Sequence, residues 1–345
     1  MRKSEPSLEE WKTLYDAAIE FKKMEPWGWM EETDVFGVQN PRNGEVGYCC
    51  IMGELGEVLA MAVYLGTEGL QGYKKIQNGQ IKPDEPDSLF IQDCLMLSFE
   101  DRRFIEEDDR QIINELGFKF RGRNSWPLFR TYRPGYFPWF LNRDEALFMA
   151  SALAQAKEVC LRFKENKKLL SPPKKNLYLI RVPETRGDMI VWKDEWREPA
   201  PLKKVKYSDE PVDEVRIQRI RKTAKPTHII WEVDFFYTPT PVAEGERPYF
   251  PYAIMLMDRD SGFIIDMHIA RETVYKKEFI DKFLSCIERM SILPLEILVS
   301  KEEVVNLIEP YSSRLNIKLS VVKRLENIDS ARREMVKHLK RPKPE

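Results

Sequence analysis

An aspartate in the middle of a hydrophobic strand is the residue whose surroundings point most clearly to chemistry. Residues 228–237 alternate between two faces, a period of two that is typical of a strand. One face carries Ile230, Glu232, Asp234 and Phe236, and the other carries Trp231, Val233 and Phe235. A carboxylate on a buried strand loses its hydration, so it must be held by a cation, a metal ion or several NH donors. We therefore predict that Asp234 has one of these partners.

A second candidate is the segment 118–143, in which arginines lie among aromatic residues and no acid occurs. Proteins that bind single-stranded nucleic acid combine these residue types, and each stacked base contributes about 1–3 kcal/mol. The alternative is a rigid, proline-rich loop whose aromatic residues pack on the domain's own core, because so aromatic a loop is costly to expose. The residues that would contact nucleic acid are Arg121, Arg123, Trp126, Arg130, Arg133 and Trp139.

Other catalytic and metal-binding patterns are weak in this sequence. The three histidines, His228, His268 and His338, lack the spacing of zinc ligands. The glycine-containing turn at 53–56 lacks the lysine of a phosphate-binding loop. Cys49 and Cys50 have no histidine nearby in the sequence, and we predict that they are buried strand residues. We predict no bound cofactor and no metal from these residues.

Composition restricts the class of protein. The 345 residues suit two domains of ordinary size, and 43% apolar residues can fill their cores. A net charge of -1 gives no overall attraction to nucleic acid or to acidic membranes. Five cysteines are too few for a disulfide scaffold, which favours a reducing compartment. No stretch approaches the roughly 18 apolar residues of a membrane span. We expect a soluble cytoplasmic protein without membrane contact.

The N-terminal part predicts an α+β domain over residues 1–198. Ser7 and Glu10 have the spacing of a capping box that begins a helix, and Asn142 and Glu145 repeat it before a long helix. Between these helices, residues 33–65 indicate a three-stranded meander, and 177–192 indicate a final strand pair. Residues 199–226 are rich in proline and lysine and have weak periodicity, so we place the linker there.

The C-terminal part, residues 227–345, predicts the order βββαβαβα. Three antiparallel strands over 228–270 precede a helix at 273–290 and a short strand at 295–299. Ser300 and Glu303 have capping-box spacing for the next helix, a strand follows at 317–322, and a last helix begins near Ser330. The lengths of the helices suit crossover connections. We therefore expect strand 295–299 to lie parallel to the first strand and beside it.

This order of elements resembles the RNase H-like fold, so the chain as a whole is expected to be α/β. In nucleases of that fold, acids from the first strand, from the end of the fourth strand and from a later helix hold two metal ions about 3.5–4 Å apart. The resemblance implies Asp234 at the first position, whereas Ser300 and Lys301 stand where the second acid is expected. The candidate catalytic set is Asp234, Glu302, Asp329 and Glu334.

Each of these candidates has a simpler interpretation. Glu303 could replace the missing second acid, but the predicted capping box already occupies it. Asp329 has the position of a helix N-cap. A cofactor, Mg²⁺ or Mn²⁺, is implied only if the domain is a nuclease, since these ions take hard oxygen ligands.

Two further phrases, WGWMEETDVFGVQNPRNGEVGYCCIMGELGE and FRGRNSWPLFRTYRPGYFPWFLNRDEA, are similar to an uncharacterised bacterial family of two adjoining domains of unknown function. That resemblance covers nearly the whole chain and implies no activity. We therefore expect a non-catalytic binding or interaction protein whose partner is unidentified. The alternative is a divergent metal-dependent nuclease or nucleic-acid-binding protein, which should bring Asp234 and at least two other carboxylates around one metal position.

Overall fold

The chain divides into two units in the computed structural model. The first unit is Met1–Pro134 with Pro138–Leu202, and the second is Lys203–Glu345 with Gly135–Phe137. The structure describes residues 5–54, 56, 58–82, 86–187, 189–202, 212–271 and 273–339. No helix in this described part is long and apolar enough to cross a membrane.

The first unit combines five helices and one sheet within its described residues. The helices are α1 (Leu8–Met24), α2 (Gly66–Gln77), α3 (Pro86–Phe90), α4 (Glu107–Glu115) and α5 (Arg143–Glu165). The strands are β1 (Phe36–Gln39), β2 (Val46–Met52), β3 (Ala60–Leu65), β4 (Cys94–Glu100), β5 (Trp126–Tyr132), β6 (Tyr178–Arg186) and β7 (Met189–Arg197). The sheet order is β5-β4-β3-β2-β1-β6-β7.

The sheet of the first unit has a hydrophobic cluster on each face. The larger cluster joins the sheet to α1 and α5, and includes the fully buried Phe21, Phe36 and Met149. The smaller cluster lies under α2 and includes Tyr48 and Leu70. Because both faces are covered, β2 and β3 are apolar on successive residues rather than on alternate ones.

Local signals located several of these elements. Two of the three predicted capping boxes are confirmed: Ser7 with Glu10 begins α1, and Asn142 with Glu145 begins α5. The meander β1-β2-β3 is also confirmed, with antiparallel pairing throughout. The proline-rich loop envisaged over 118–143 is wrong in part, since Trp126–Tyr132 forms strand β5. Pro127 is tolerated because β5 lies at the edge of the sheet, where a strand can lack an NH donor.

The second unit begins within the segment assigned to the linker. Its elements are α6 (Glu214–Thr223), β8 (Lys225–Pro226), β9 (Ile230–Tyr237), β10 (Tyr252–Asp258), β11 (Ile264–Ala270), α7 (Tyr275–Met290), β12 (Ile292–Leu293), β13 (Glu296–Val299), α8 (Glu302–Leu315), β14 (Lys318–Val321) and α9 (Glu326–Leu339). In α6 only Ile217 and Ile220 are buried. The helical spacing of apolar residues therefore covers a single turn and is difficult to recognise among the charged residues around it. Residues 203–211 of that segment lie outside the described residues.

The main sheet of the second unit has the order β11-β10-β9-β13-β14. The first three strands pair antiparallel, and β13 pairs parallel with both β9 and β14. The expected place of strand 295–299 beside the first strand is therefore confirmed. One face packs on α6, α7 and α8 around Trp231 and Phe279, and the other packs on α9 around Phe236 and Met255.

Two helix starts in this unit differ from the prediction. Lys301 is the N-cap of α8 and no side chain caps that helix, so the capping box of Ser300 with Glu303 is wrong. The Glu303 carboxylate instead accepts a hydrogen bond from the Tyr275 hydroxyl at 2.5 Å, a tertiary contact that local spacing cannot reveal. Helix α9 begins at Glu326 rather than near Ser330, which places Asp329 in the first turn and not at the N-cap.

Candidate functional site

Asp234 lies on the α9 face of β9 and is paired with a lysine. Only 5% of the residue is exposed, and its Oδ2 lies 2.8 Å from the Lys301 Nζ. Lys301 follows the end of β13, and because β9 and β13 are adjacent and parallel, residues near their carboxyl ends come together. The same ammonium donates to the Phe235 carbonyl oxygen at 2.6 Å. The partner expected for Asp234 is thus an ammonium group from the adjacent strand end.

The electrostatics of Asp234 reflect a competition between burial and this cation. Burial raises the pKa of the Asp234 carboxyl, and the Lys301 ammonium lowers it by less, so the pKa stays above its ordinary value. The short ion pair and the raised pKa are compatible, because desolvation of a buried pair can exceed its Coulomb attraction. The Oδ1 atom is buried and has no hydrogen-bond partner among the described residues.

A second buried acid on the same strand face, Glu232, binds the first turn of α9. Glu232 has no exposed surface, and its Oε2 accepts from the backbone NH groups of Asn327 at 3.0 Å and Ile328 at 3.1 Å. Its Oε1 is paired with Arg259. These NH groups lie in the first turn of α9, where the helix dipole favours a negative charge. This role of Glu232 was not predicted, and the only signal for it in the sequence is its position two residues before Asp234.

The other three nuclease candidates do not gather around Asp234 in a metal-binding arrangement. Glu302 is exposed in the first turn of α8, and Asp329 is half-buried in the first turn of α9. Glu334 is exposed and pairs with Lys337 at 2.6 Å. Within the part of the chain that the structure describes, no group of three or more His, Cys, Asp or Glu side chains is arranged to hold a metal ion.

Two arginines of segment 118–143 are engaged inside the first unit. Arg130 is 8% exposed and forms a two-pronged hydrogen bond with Asp109, at 3.0 and 2.8 Å, while its guanidinium lies over the Phe140 ring. Arg133 pairs with Asp93 at 2.7 Å and with Glu145 at 2.9 Å. Although the segment contains no acid, its partners come from outside it. These two side chains therefore stabilise the unit and do not face a ligand.

The aromatic candidates of that segment also pack locally. The Trp126 ring meets Phe120 edge-on at 5.8 Å, and Trp139 meets Phe140 at 5.4 Å. The Trp139 backbone exchanges two hydrogen bonds with Thr131 of β5, at 2.8 and 3.1 Å. Arg121 and Arg123 differ from all of these, because both side chains are exposed. The alternative of internal packing thus describes four of the six candidates.

The strand order of the second unit defines its class. An antiparallel meander, whose first strand is joined on its other side by two parallel strands with helical crossovers, is the RNase H-like fold. The sequence comparisons then identify both halves of the chain. Residues 11–181 match the family "Domain of unknown function (DUF7309)", and residues 216–336 match "Domain of unknown function (DUF6930)". Two models of domains of unknown function thus match successive parts of the chain.

Among solved structures, the chain is similar to the HTLV-2 integrase catalytic core domain in complex with magnesium. For the dimeric form the identity is 18% over 30% of this chain, with a TM-score of 0.23, and the chain spans 64% of that protein's length. For the trimeric form the identity is 17% over 33% of this chain and 76% of that one, with a TM-score of 0.24. No curated protein matches the sequence significantly.

Proposed function

We propose that the second unit is a non-catalytic RNase H-like module, and that the protein works by binding a partner. The observation that carries this proposal is the Lys301 ammonium on Asp234. A Mg²⁺ ion bound to Asp234 Oδ2 would lie about 2.0–2.1 Å from that oxygen. The Lys301 ammonium already occupies this side of the oxygen. Repulsion between the two cations adds to the cost of metal entry.

The surroundings of this pair support the same conclusion. Glu232, the other acid on the strand face, is held by Arg259 and by the first turn of α9. Its negative charge is therefore already balanced. Two divalent ions need several carboxylates to compensate their charge. The described acids near Asp234 do not supply that excess.

Asp234 Oδ1 has no hydrogen-bond partner among the described residues, and this observation favours the competing function, a metal-dependent nuclease. In that case Lys301 would swing into solvent, and a metal would occupy both carboxylate oxygens. The two functions differ in the response of the protein to Mn²⁺, which substitutes for Mg²⁺ at oxygen-rich sites.

The test is a set of thermal melts and cleavage assays on the full chain. Wild type, Asp234→Asn and the control Asp260→Asn are melted with and without Mn²⁺, Asp260 being exposed in the turn after β10. Cleavage is assayed on single-stranded DNA, duplex DNA and an RNA–DNA hybrid. We expect no Mn²⁺-dependent rise in the wild-type Tm beyond that of the control, and no cleavage. A rise that Asp234→Asn alone abolishes, with metal-dependent cleavage, would refute the proposal.

A further inference from the structure

The first unit has an exposed cluster of positive charge, which we call the basic corner. It consists of Arg102, Arg103, Lys119, Arg121 and Arg123, all with exposed side chains. None of the five forms an ion pair with another described residue. The chain has a net charge of -1, so an unpaired cluster of this size is a local feature.

The outward direction of two of these side chains follows from aromatic packing. Phe118 stacks on Tyr15 at 5.8 Å and on Phe120 at 5.9 Å, and Phe120 in turn lies 6.4 Å from Tyr15. Because these rings face the core, the intervening Lys119 and the following Arg121 face solvent. Gly122, with a φ of 95°, then turns the chain before Arg123.

Two hydrogen bonds attach this segment to Glu100 and Asp101, directly before the 3-10 helix Arg102–Phe104. The Asn124 NH donates to the Asp101 Oδ1 at 2.9 Å, and the Ser125 NH donates to the Glu100 carbonyl oxygen at 3.0 Å. The arginines at 102 and 103 follow directly after one side of this junction, and those at 121 and 123 precede the other. The junction thus brings the two basic stretches to the same corner of the unit.

Most acids of the run 106–109, which follows Phe104 in the sequence, are paired with other cations. Asp109 and Glu106 pair with the buried Arg130, and Glu107 pairs with Arg110 at 3.1 Å. Within the described residues, Asp108 is the member of this acidic run that has no cation partner. Glu100 and Asp101, directly before Arg102, also have no cation partner among the described residues, so together with Asp108 they offset part of the five positive charges.

An exposed aromatic ring lies within the corner. Phe104 is 52% exposed, and the Arg103 guanidinium lies 4.6 Å from the centre of its ring. About half of Phe104 is therefore in contact with water, and covering its ring with a partner would be favourable. A planar group that stacks on the ring while cations neutralise adjacent phosphates would satisfy both features.

From these observations we infer that the basic corner binds single-stranded nucleic acid. Its cations contact backbone phosphates, and Phe104 stacks with one base, which is the combination used by single-strand binders. The inference does not depend on whether the second unit is catalytic. Each phosphate contact on a single strand contributes a slope of about -0.7 in log K against log salt. Five contacts therefore predict about a 100-fold loss of affinity between 50 and 200 mM salt.

The test measures the fluorescence anisotropy of a labelled 15-nucleotide single strand, as DNA and as RNA, with the full chain. A charge variant carries Arg102→Gln, Arg103→Gln, Arg121→Gln and Arg123→Gln. A matched control carries Lys174→Gln, Lys175→Gln, Arg219→Gln and Lys222→Gln, four exposed cations without described ion pairs. We expect the charge variant to lose at least tenfold in affinity and most of the salt slope, while the control binds like wild type. Phe104→Ala should lose roughly fivefold or more, since one base loses its stacking partner.

Three outcomes would overturn the inference. The first is that wild type fails to bind the single strand at 50 mM salt. The second is that the control weakens as much as the charge variant, which would indicate nonspecific attraction. The third is that a duplex of equal length, or vesicles containing phosphatidylserine, bind more tightly than the single strand. If the fourfold charge variant does not fold, as judged by its thermal melt, the pair Arg121→Gln with Arg123→Gln takes its place.

Discussion

The two partners of the pair between Lys301 and Asp234 should respond very differently to substitution, because only one of them can reach water. The Asp234 side chain is 7% exposed and the Lys301 side chain is 39% exposed. Lys301→Met leaves a buried carboxylate without its cation. Asp234→Asn leaves an ammonium that can turn to solvent and that still has the Phe235 carbonyl oxygen as an acceptor.

The cost of Lys301→Met is limited by protonation of the acid. An aspartic acid in the unfolded chain has a pKa of about 3.9, so holding Asp234 neutral at pH 7 costs about 4 kcal/mol at about 1.4 kcal/mol per unit. Breaking a buried pair typically costs about 3–5 kcal/mol. We therefore expect Lys301→Met to lower the unfolding free energy by about 3–4 kcal/mol at pH 7, and by about 1.5 kcal/mol at pH 5.

The raised pKa of Asp234 gives the sign for the other partner. When the folded state raises the pKa of an acid, the ionised form is disfavoured by folding. Stability from that group is then greatest below the unfolded pKa and is lost as pH rises toward the folded pKa. Asp234→Asn removes this loss together with the ion pair. We therefore expect it to cost about 1 kcal/mol or less at pH 7.

The assay is hydrogen exchange of peptides from β9 and β10 in the full chain, because it reports the stability of the second unit alone. Wild type, both single variants and the double variant are compared at pH 5 and pH 7. The double variant should return to within about 1 kcal/mol of wild type, since it buries no unpaired charge. The reasoning is refuted if Lys301→Met costs the same at both pH values, or if Asp234→Asn costs more than Lys301→Met.

Two further predictions concern the first unit. Arg130→Met should lower the unfolding free energy of this unit by about 3–5 kcal/mol, because Asp109 would remain buried without its two-pronged partner. A loss below about 1 kcal/mol in urea denaturation would contradict this expectation. Gly72→Ala should cost about 1–3 kcal/mol, because the added Cβ would lie 2.3 Å from the Ile91 carbonyl oxygen. The control Gly28→Ala meets nothing within 4 Å and should leave the Tm nearly unchanged, and equal melts for the two variants would show that the Ile91 contact relaxes freely.

Short-range signals explain why much of the fold could be predicted from the sequence. Ser7 with Glu10 and Asn142 with Glu145 are capping boxes whose bonds all lie within one turn, so local spacing was sufficient. The meander over 228–270 was similarly visible, because alternation and a tight turn are local. The parallel pairing of β13 with β9 followed from the rules for crossover connections, which nearly all proteins obey.

Tertiary competition explains where local spacing failed. Ser300 and Glu303 have the same spacing as the two real capping boxes, but the Tyr275 hydroxyl binds the glutamate instead. Segment 118–143 contains no acid, so its sequence alone did not indicate that its arginines form ion pairs. Arg130 found its partner at Asp109, twenty-one residues earlier, because β5 brings it against α4. Spacing identifies residues able to make a contact, and the fold decides between competing partners.

The two acids of β9 show the same limit at the candidate site, because their partners come from other elements. Asp234 and Glu232 lie two residues apart on one strand face, so both point toward the α9 side of the sheet. Each meets a positive group there: an ammonium from the end of β13 for one, and Arg259 with the first turn of α9 for the other. A divalent ion is attracted by excess negative charge, and the two carboxylates of this face are already paired with positive groups. In this RNase H-like sheet the chain itself thus supplies the cation that pairs with Asp234.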